Sequence, residues 1–344
     1  MTNPAWWTEP FKALGNVIAY KLLGLDPQSH LGSAVQFFFW DVFKILFLLT
    51  VIVFGVAIIR SFFSPERSRK LLGGKREWLG NILASLLGVV TPFCSCSACP
   101  LFIGFIESGI PLGVAMSFLI SAPTVNEVAL VMLLGLFGWK VAGIYVATGV
   151  TMAIVAGMVI GRLRLERFVE PYVWEIQMGE TDIEEPTWAD RIAYAKSYTK
   201  DLMKRVGPWV LVGVGLAAGI HGYVPVEFVA RVAGKDNPFA VVIAVLIGIP
   251  LYSNAAGTIP IVQALVEKGV PIGTALALMM SIVAISVPEM IILRQVVKWQ
   301  LLAIFAGVVM IAIIIIGYLF NYVIFPDGTP ALIMQQLQAG QGGT

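Results

Sequence analysis

All three cysteines of this chain, Cys94, Cys96 and Cys99, fall within six residues. An odd, clustered set of thiols is no disulfide framework. It points to soft-ligand binding or thiol redox chemistry. Thiolates suit Cu(I), Zn or trivalent arsenic, which makes Cys94, Cys96 and Cys99 candidate ligands for a soft metal or metalloid. The same residues equally suit small, inert, buried packing, where free cysteine is common. Pro92 and Pro100 bracket the cluster. A proline removes a backbone donor and interrupts helix propagation, leaving carbonyl and amide groups open to a ligand. The small residues Ser95, Ser97 and Ala98 between them allow close approach. A helix starting near Pro100 is expected to aim its positive N-terminus at the thiols, favouring anions and the thiolate form.

A second break follows at residues 121–127, where Asn126 and Glu127 interrupt an apolar run. An ionisable group at membrane depth is functional by default, and Glu127 could exchange a proton there or pair with a cationic substrate. The competing reading places it at an interface, with Lys140 only thirteen residues on. The second half of the chain has matching breaks at residues 252–258 and 286–289. They carry Ser253, Asn254, Thr258 and Glu289 and no cysteine. The expected substrate-binding set is Cys94, Ser95, Cys96, Ser97, Cys99, Asn126, Glu127, Ser253, Asn254 and Thr258, with sulfur on one side and oxygen on the other. Glu127 and Glu289 are the candidates for proton coupling.

The elements that must hold these groups are membrane helices. The chain of 344 residues is 58% hydrophobic and 13% charged, against about a quarter charged in soluble domains. Several apolar runs approach the roughly 20 residues that a bilayer requires. The expected fold class is all-α, a polytopic helical membrane protein. The net charge of +2 says nothing about nucleic acid, no basic cluster is large enough to suggest it, and no nucleic-acid partner is expected. No G-x-x-x-x-G-K-[ST] motif is present, and no resident cofactor is expected.

Residues 1–33 read as an amphipathic, interfacial segment and residues 34–161 as a first membrane repeat. Residues 162–206 form a charged linker that includes an amphipathic helix over 189–204. Residues 207–325 are a second repeat, its first span opening at Pro208, and 326–344 a tail. Positive charge sets the orientation. Arg67, Arg69, Lys70, Lys75 and Arg76 follow the first span. Arg162, Arg164 and Arg167 follow the next clear one, and Arg294 and Lys298 precede the last. All are expected on the cytoplasmic side, leaving the tail, free of Lys and Arg, outside.

The two membrane portions match at a shift of 160 residues. Leu87-Gly88-Val89 falls on Ile247-Gly248-Ile249, Pro100 on Pro260 and Ser121 on Ser281. Glu107-Ser108-Gly109-Ile110-Pro111-Leu112-Gly113 falls on Glu267-Lys268-Gly269-Val270-Pro271-Ile272-Gly273. Charge places the end of the first span inside and the end of its counterpart outside. The repeats are therefore expected to have inverted topology, with broken or re-entrant helices, as in many secondary transporters that work by alternating access.

At these residues the sequence resembles the predicted-permease family that includes the methylarsenite efflux permeases. The motifs are Pro92-Phe93-Cys94-Ser95-Cys96 with Pro100, Ser121-Ala122-Pro123-Thr124-Val125-Asn126, the run Ile259–Gln263, and Ser286-Val287-Pro288. The resemblance covers roughly residues 34–324 and implies a multi-span permease of the cell membrane. Glu127 departs from the proline that many relatives carry there, and Cys99 is outside the shared pattern. Some relatives are associated with small thioredoxin-like proteins, which implies such a partner and thiol exchange at Cys94 and Cys96.

The sequence thus reads as a secondary permease rather than an enzyme, exporting a thiophilic metalloid, soft metal or small sulfur-containing solute. One rival is a membrane thiol-disulfide oxidoreductase using Cys94 and Cys96. The absence of cysteine from the second repeat weighs against it. Another is a non-transporting subunit of a membrane complex, docked through the charged linker.

Overall fold

In a lipid environment an apolar chain can satisfy its backbone internally as α-helices. The described residues form helices, with one isolated bridge between Val169 and Val297. The structure, a computed structural model, describes residues 9–27, 29–62, 77–91, 95–107, 109–125, 127–171, 187–220, 234, 237–251, 255–294 and 296–326. The elements are α1 (Glu9–Asn16, continued by a π-turn), α2 (His30–Phe62), α3 (Glu77–Val90), α4 (Ser95–Glu107), α5 (Leu112–Thr124) and α6 (Glu127–Arg162). They continue with α7 (Trp188–Ile220), α8 (Ala240–Gly248), α9 (Ala255–Glu267), α10 (Ile272–Ala284), α11 (Val287–Leu293) and α12 (Trp299–Leu319). Three stretches among the described residues are long and apolar enough to cross a bilayer: Ala129–Arg162, Ile272–Ile291 and Trp299–Ile324. The protein is an all-α, multi-pass membrane protein.

The chain divides into two compact units. The first, Met1–Phe63 with Thr181–Pro225, holds α1, α2 and α7. α7 packs along α2, and α1 packs on α2, so closely that a Cβ on Gly15 would lie 2.9 Å from the Gln36 carbonyl oxygen. Within α2, Asp41 and Lys44 form a buried ion pair, and the Lys44 ammonium lies 4.7 Å from the Trp40 ring centroid.

The sequence predicts a surface helix over 189–204 and a separate span from Pro208; instead one helix, α7, runs through both. A proline inside a helix removes one hydrogen bond, and here the helical residues on both sides carry the chain past it. The start of α7 is set by a reciprocal cap. Asp190 accepts hydrogen bonds from the Thr187 amide, at 3.0 Å, and from its hydroxyl. These bonds hold the Asp190 carboxyl below the usual carboxylate range. A depressed pKa means that the cap is fully present above the unfolded value of about 4 and is lost as pH falls through the folded value. The protection of amides in the first turn of α7 against exchange, relative to the free peptide at the same pH, is expected to fall below about pH 4, and Asp190→Asn to remove that pH dependence.

The second unit, Ser64–Glu180 with Val226–Thr344, holds α3–α6 and α8–α12. Its centre is α5 and α10, which touch each other and are buried at every residue. A helix that is apolar all round belongs in a core. α3, α4 and α6 pack on α5, while α8, α9 and α12 pack on α10.

The local geometry of these two groups recurs 160 residues on. Ser121 Oγ donates to the Ser85 carbonyl at 2.6 Å, and Ser281 Oγ to that of Val245 at 2.7 Å. A Cβ on Gly88 or on Gly248 would crowd the Cβ of those same serines, at 3.0 and 2.8 Å. The Glu-x-Gly-x-Pro stretches share a glycine conformation and a backbone hydrogen bond. Gly109 and Gly269 take φ of +74° and +88°, a left-handed conformation that glycine adopts freely. The amides of Ile110 and Val270 bond back to the carbonyls of Phe105 and Leu265, both at 3.0 Å, closing the same C-terminal cap. Each turn joins two helices of 13 residues. At 1.5 Å per residue these run about 20 Å, short of the roughly 30 Å hydrocarbon core.

Two loops that positive charge assigns to one side of the membrane are bonded to each other. The Glu170 amide donates to the Val296 carbonyl at 2.9 Å and the Lys298 amide to that of Phe168 at 2.7 Å. An ion pair joins Arg294 to Glu170 at 2.7 Å.

Candidate functional site

α4 begins at Ser95, five residues before Pro100, so the expectation of a helix starting near Pro100 is corrected. Proline is tolerated near a helix start because early amides have no intrahelical acceptor. At the sixth position its cost is the donor that would have met the Cys96 carbonyl. α9 repeats this: it begins at Ala255, with Pro260 in the same place. Ser95, Cys96, Ser97 and Cys99 thus lie on the first turns of α4, and Thr258 lies on the first turn of α9, fully buried. For Ser95, Cys96, Ser97, Cys99 and Glu127 the structure describes the backbone position. Cys94, Asn126, Ser253 and Asn254 lie outside the described residues, and with Cys94 the expected three-thiol ligand set does too.

The ends of the central helices form the other two breaks. α5 carries Pro123 in its last turn and stops at Thr124, whose carbonyl accepts a 2.7 Å hydrogen bond from the buried Tyr145 hydroxyl of α6. Glu127 then opens α6. α10 stops at Ala284. Buried Ser286 follows, and the Val287 amide donates to the Ile249 carbonyl at 2.9 Å as α11 begins. Glu289 sits in the first turn of α11, only 3% exposed.

Packing brings these elements together across the two halves of unit two. α11, bearing Glu289, packs on α4, which bears Cys96 and Cys99. In the corresponding contact α9, bearing Thr258, packs on α6, which begins at Glu127. Where α5 ends, α6 passes at Gly149, beside Val125 and within 3.8 Å of Met280 on α10 as measured from an added Cβ. The chemistry available is a carboxyl on one helix next to a helix of cysteines, with helix starts whose amides favour anions.

Sequence reading passed over Asp41 and Lys44. Charges three apart within an apolar run were the available signal. It also passed over Tyr145, which an apolar helix conceals.

A family model described as a predicted permease, ArsP_1, matches residues 30–322. Similar proteins include the UPF0718 protein MJ0584 of Methanocaldococcus jannaschii, 21% identical over 71% of this chain and 82% of that protein. The UPF0718 protein YraQ of Escherichia coli is 25% identical over 71% of this chain and 68% of its own. A Streptococcus mutans protein described as a putative two-component membrane permease complex subunit is 24% identical over 58% of this chain and 65% of its own. No solved structure matches the chain. With the family model covering most of the chain and all of the helices that frame the breaks, this protein belongs to the ArsP_1 family of predicted permeases.

Proposed function

We propose that this permease carries a small thiophilic solute, a metalloid, soft metal ion or sulfur-containing anion, out of the cell by alternating access. The observation that carries this reading is the contact of α11, with buried Glu289, against α4, with its cysteines. Cys94 and Cys96 bind the solute, Cys99 assists, and Asn126, Glu127, Ser253, Asn254 and Thr258 orient it. Glu289 or Glu127 carries the coupling proton. The recurrence of the α4–α5 hairpin as α9–α10 supports two repeats. The charge pattern of the loops supports opposite orientation, with the arginine-rich loops in the cytoplasm and the C-terminus outside. Such repeats can rock about a shared midplane site.

The description of the Streptococcus mutans relative favours a second arrangement, in which the chain works beside a further membrane subunit.

The test is uptake into proteoliposomes of methylarsenite, Zn²⁺, Cu(I) and thiosulfate, wild type beside the Cys94→Ser/Cys96→Ser variant. Uptake of at least one solute is expected, lowered in the variant by about tenfold or more, as for loss of soft-ligand bonds worth more than 1.4 kcal/mol. Equal transport by both proteins would overturn the thiol site. No transport of any solute, with a disulfide that exchanges with thioredoxin, would favour the oxidoreductase instead.

A further inference from the structure

Unit two contains two cavities at corresponding places, and they differ in size and charge. The larger, about 460 Å³, lies where α3 and α5 begin and α6 ends, with Glu77, Trp78, Arg162 and Glu166 in its wall. The smaller, about 110 Å³, is walled by the residues 160 positions on, among them Asn237, Pro238, Tyr322 and Pro326.

The two walls differ at position 321, among others. In the smaller cavity Asn321 reaches in. Its Oδ1 accepts from the Gly273 amide at the start of α10, and its Nδ2 donates to Thr274 Oγ1, both at 2.9 Å. The first copy has Gly161 in place of Asn321 and Val114 in place of Thr274. The corresponding amide of Gly113, at the start of α5, therefore has no oxygen from position 161 to cap it.

The charges are not needed for this packing, because the second copy achieves it with neutral residues at all three positions. In the first copy one guanidinium and two carboxylates share a single cavity. Arg162 and the Gly113 amide suit a phosphate oxygen, and Glu77 with Glu166 suits a primary ammonium. Trp78 is 49% exposed beside them, a placement typical of the membrane–water boundary. The cavity is also separate from the transport site: it adjoins the start of α5, whereas the break at Thr124 is the far end, about 20 Å away.

We propose that this cavity binds the phosphoethanolamine head of a membrane phospholipid. The phosphate oxygen sits where Asn321 Oδ1 sits in the other copy, and the ammonium sits between Glu77 and Glu166. A choline head has no N–H to give the carboxylates, and a glycerol head has no cation.

The experiment is native mass spectrometry of the full-length protein in mild detergent, titrated with phosphatidylethanolamine, phosphatidylcholine and phosphatidylglycerol of matched chains. Phosphatidylethanolamine is expected to be retained about tenfold more tightly than the other two, and Arg162→Gln to lower its retention by about tenfold, the size of one charged hydrogen bond. Glu77→Gln/Glu166→Gln is expected to erase the preference over phosphatidylcholine, and Gly161→Asn to displace the lipid. A Cβ at position 161 would lie 3.2 Å from the Gly113 Cα. Should Gly161→Asn fail to fold, exposed Arg162 carries the test. Equal retention of the three lipids, or retention unchanged in Arg162→Gln, would overturn the site. Free O-phosphoethanolamine that displaces the lipid at equal concentration would overturn the lipid as its occupant.

Discussion

Replacing Gly157 with alanine is expected to remove most of the stability of the second unit. Three helices meet at this residue. An added Cβ would overlap Ser117 Oγ on α5 and lie 2.6 Å from the Gly113 carbonyl oxygen and 2.9 Å from Asn81 Oδ1 on α3. Ser117, fully buried, donates to Asn81 Oδ1 at 2.6 Å, so the methyl group must displace a hydroxyl that is already engaged. Overpacking costs about 1–3 kcal/mol, and a stranded buried acceptor adds about 1–3 kcal/mol. The sum, about 2–6 kcal/mol, is a large fraction of the roughly 5–15 kcal/mol that holds a typical domain together. Small residues at helix contacts are the means by which membrane helices approach closely, and here Gly157 and Gly161 form that face against Gly113. The expected result is loss of the monodisperse peak in size-exclusion chromatography, or a fall in thermal midpoint large enough to aggregate the protein at room temperature. The second copy supplies the control. A Cβ on Gly317 would meet Val241 Cγ1 at 2.6 Å and Ala277 Cβ at 3.0 Å, apolar groups with no hydrogen bond to lose. Gly317→Ala is therefore expected to be the milder change. Equal damage from the two substitutions would sink the explanation through Ser117 and Asn81.

That contrast marks what a sequence displays and what it conceals. The spacing of glycine and proline in Glu107–Gly113 and Glu267–Gly273 was legible because a left-handed residue followed by a proline has few structural solutions. The turns there match down to their hydrogen bonds. Helix boundaries at prolines were less legible. Pro100 and Pro208 both looked like breaks, yet each sits inside a helix, because one missing amide costs less than ending a run of good helix formers. Partner choice was not legible at all. The chain order does not display that α1 and α7 pack on α2 while α3–α6 and α8–α12 form a second unit. Apolar faces of lipid-exposed helices carry no address, so which helix finds which is decided by shape. In the candidate site, the breaks near Thr124 and Glu289 could be read from polar residues in apolar runs. The contact of α11 with α4 could not, since Glu107, the end of α4, and Val287, the start of α11, lie far apart in the chain with most of the fold between them.

Glu289→Gln is expected to abolish gradient-driven transport, lowering initial uptake by about a hundredfold, equivalent to about 2.7 kcal/mol in barrier. The substitution keeps the volume of the side chain and its capacity for hydrogen bonding, and it removes only the ability to gain and lose a proton. Glu289 is buried on a helix that packs against the cysteine-bearing α4. A charge at such depth costs roughly 2.5–3.5 kcal/mol or more unless it is neutralised or paired. A carrier can use that cost. In a proton-coupled carrier of the kind proposed, the empty site would reorient with the proton bound, and without it the carboxylate would have to hold a cationic or soft-metal substrate first. The amide variant should then lose net uptake driven by a pH gradient and keep substrate–substrate exchange, which needs no proton step. Glu267 is the matched control. It accepts a 2.9 Å hydrogen bond from Gln263 and is the last residue of α9, away from the break, so Glu267→Gln should transport at the wild-type rate. Glu127→Gln, at the start of α6, separates the two copies. A loss confined to Glu127→Gln would move the coupling role to the first repeat. Gradient-driven uptake by Glu289→Gln at the wild-type rate would end the case for Glu289 as the coupling acid, because an amide in its place cannot carry the proton.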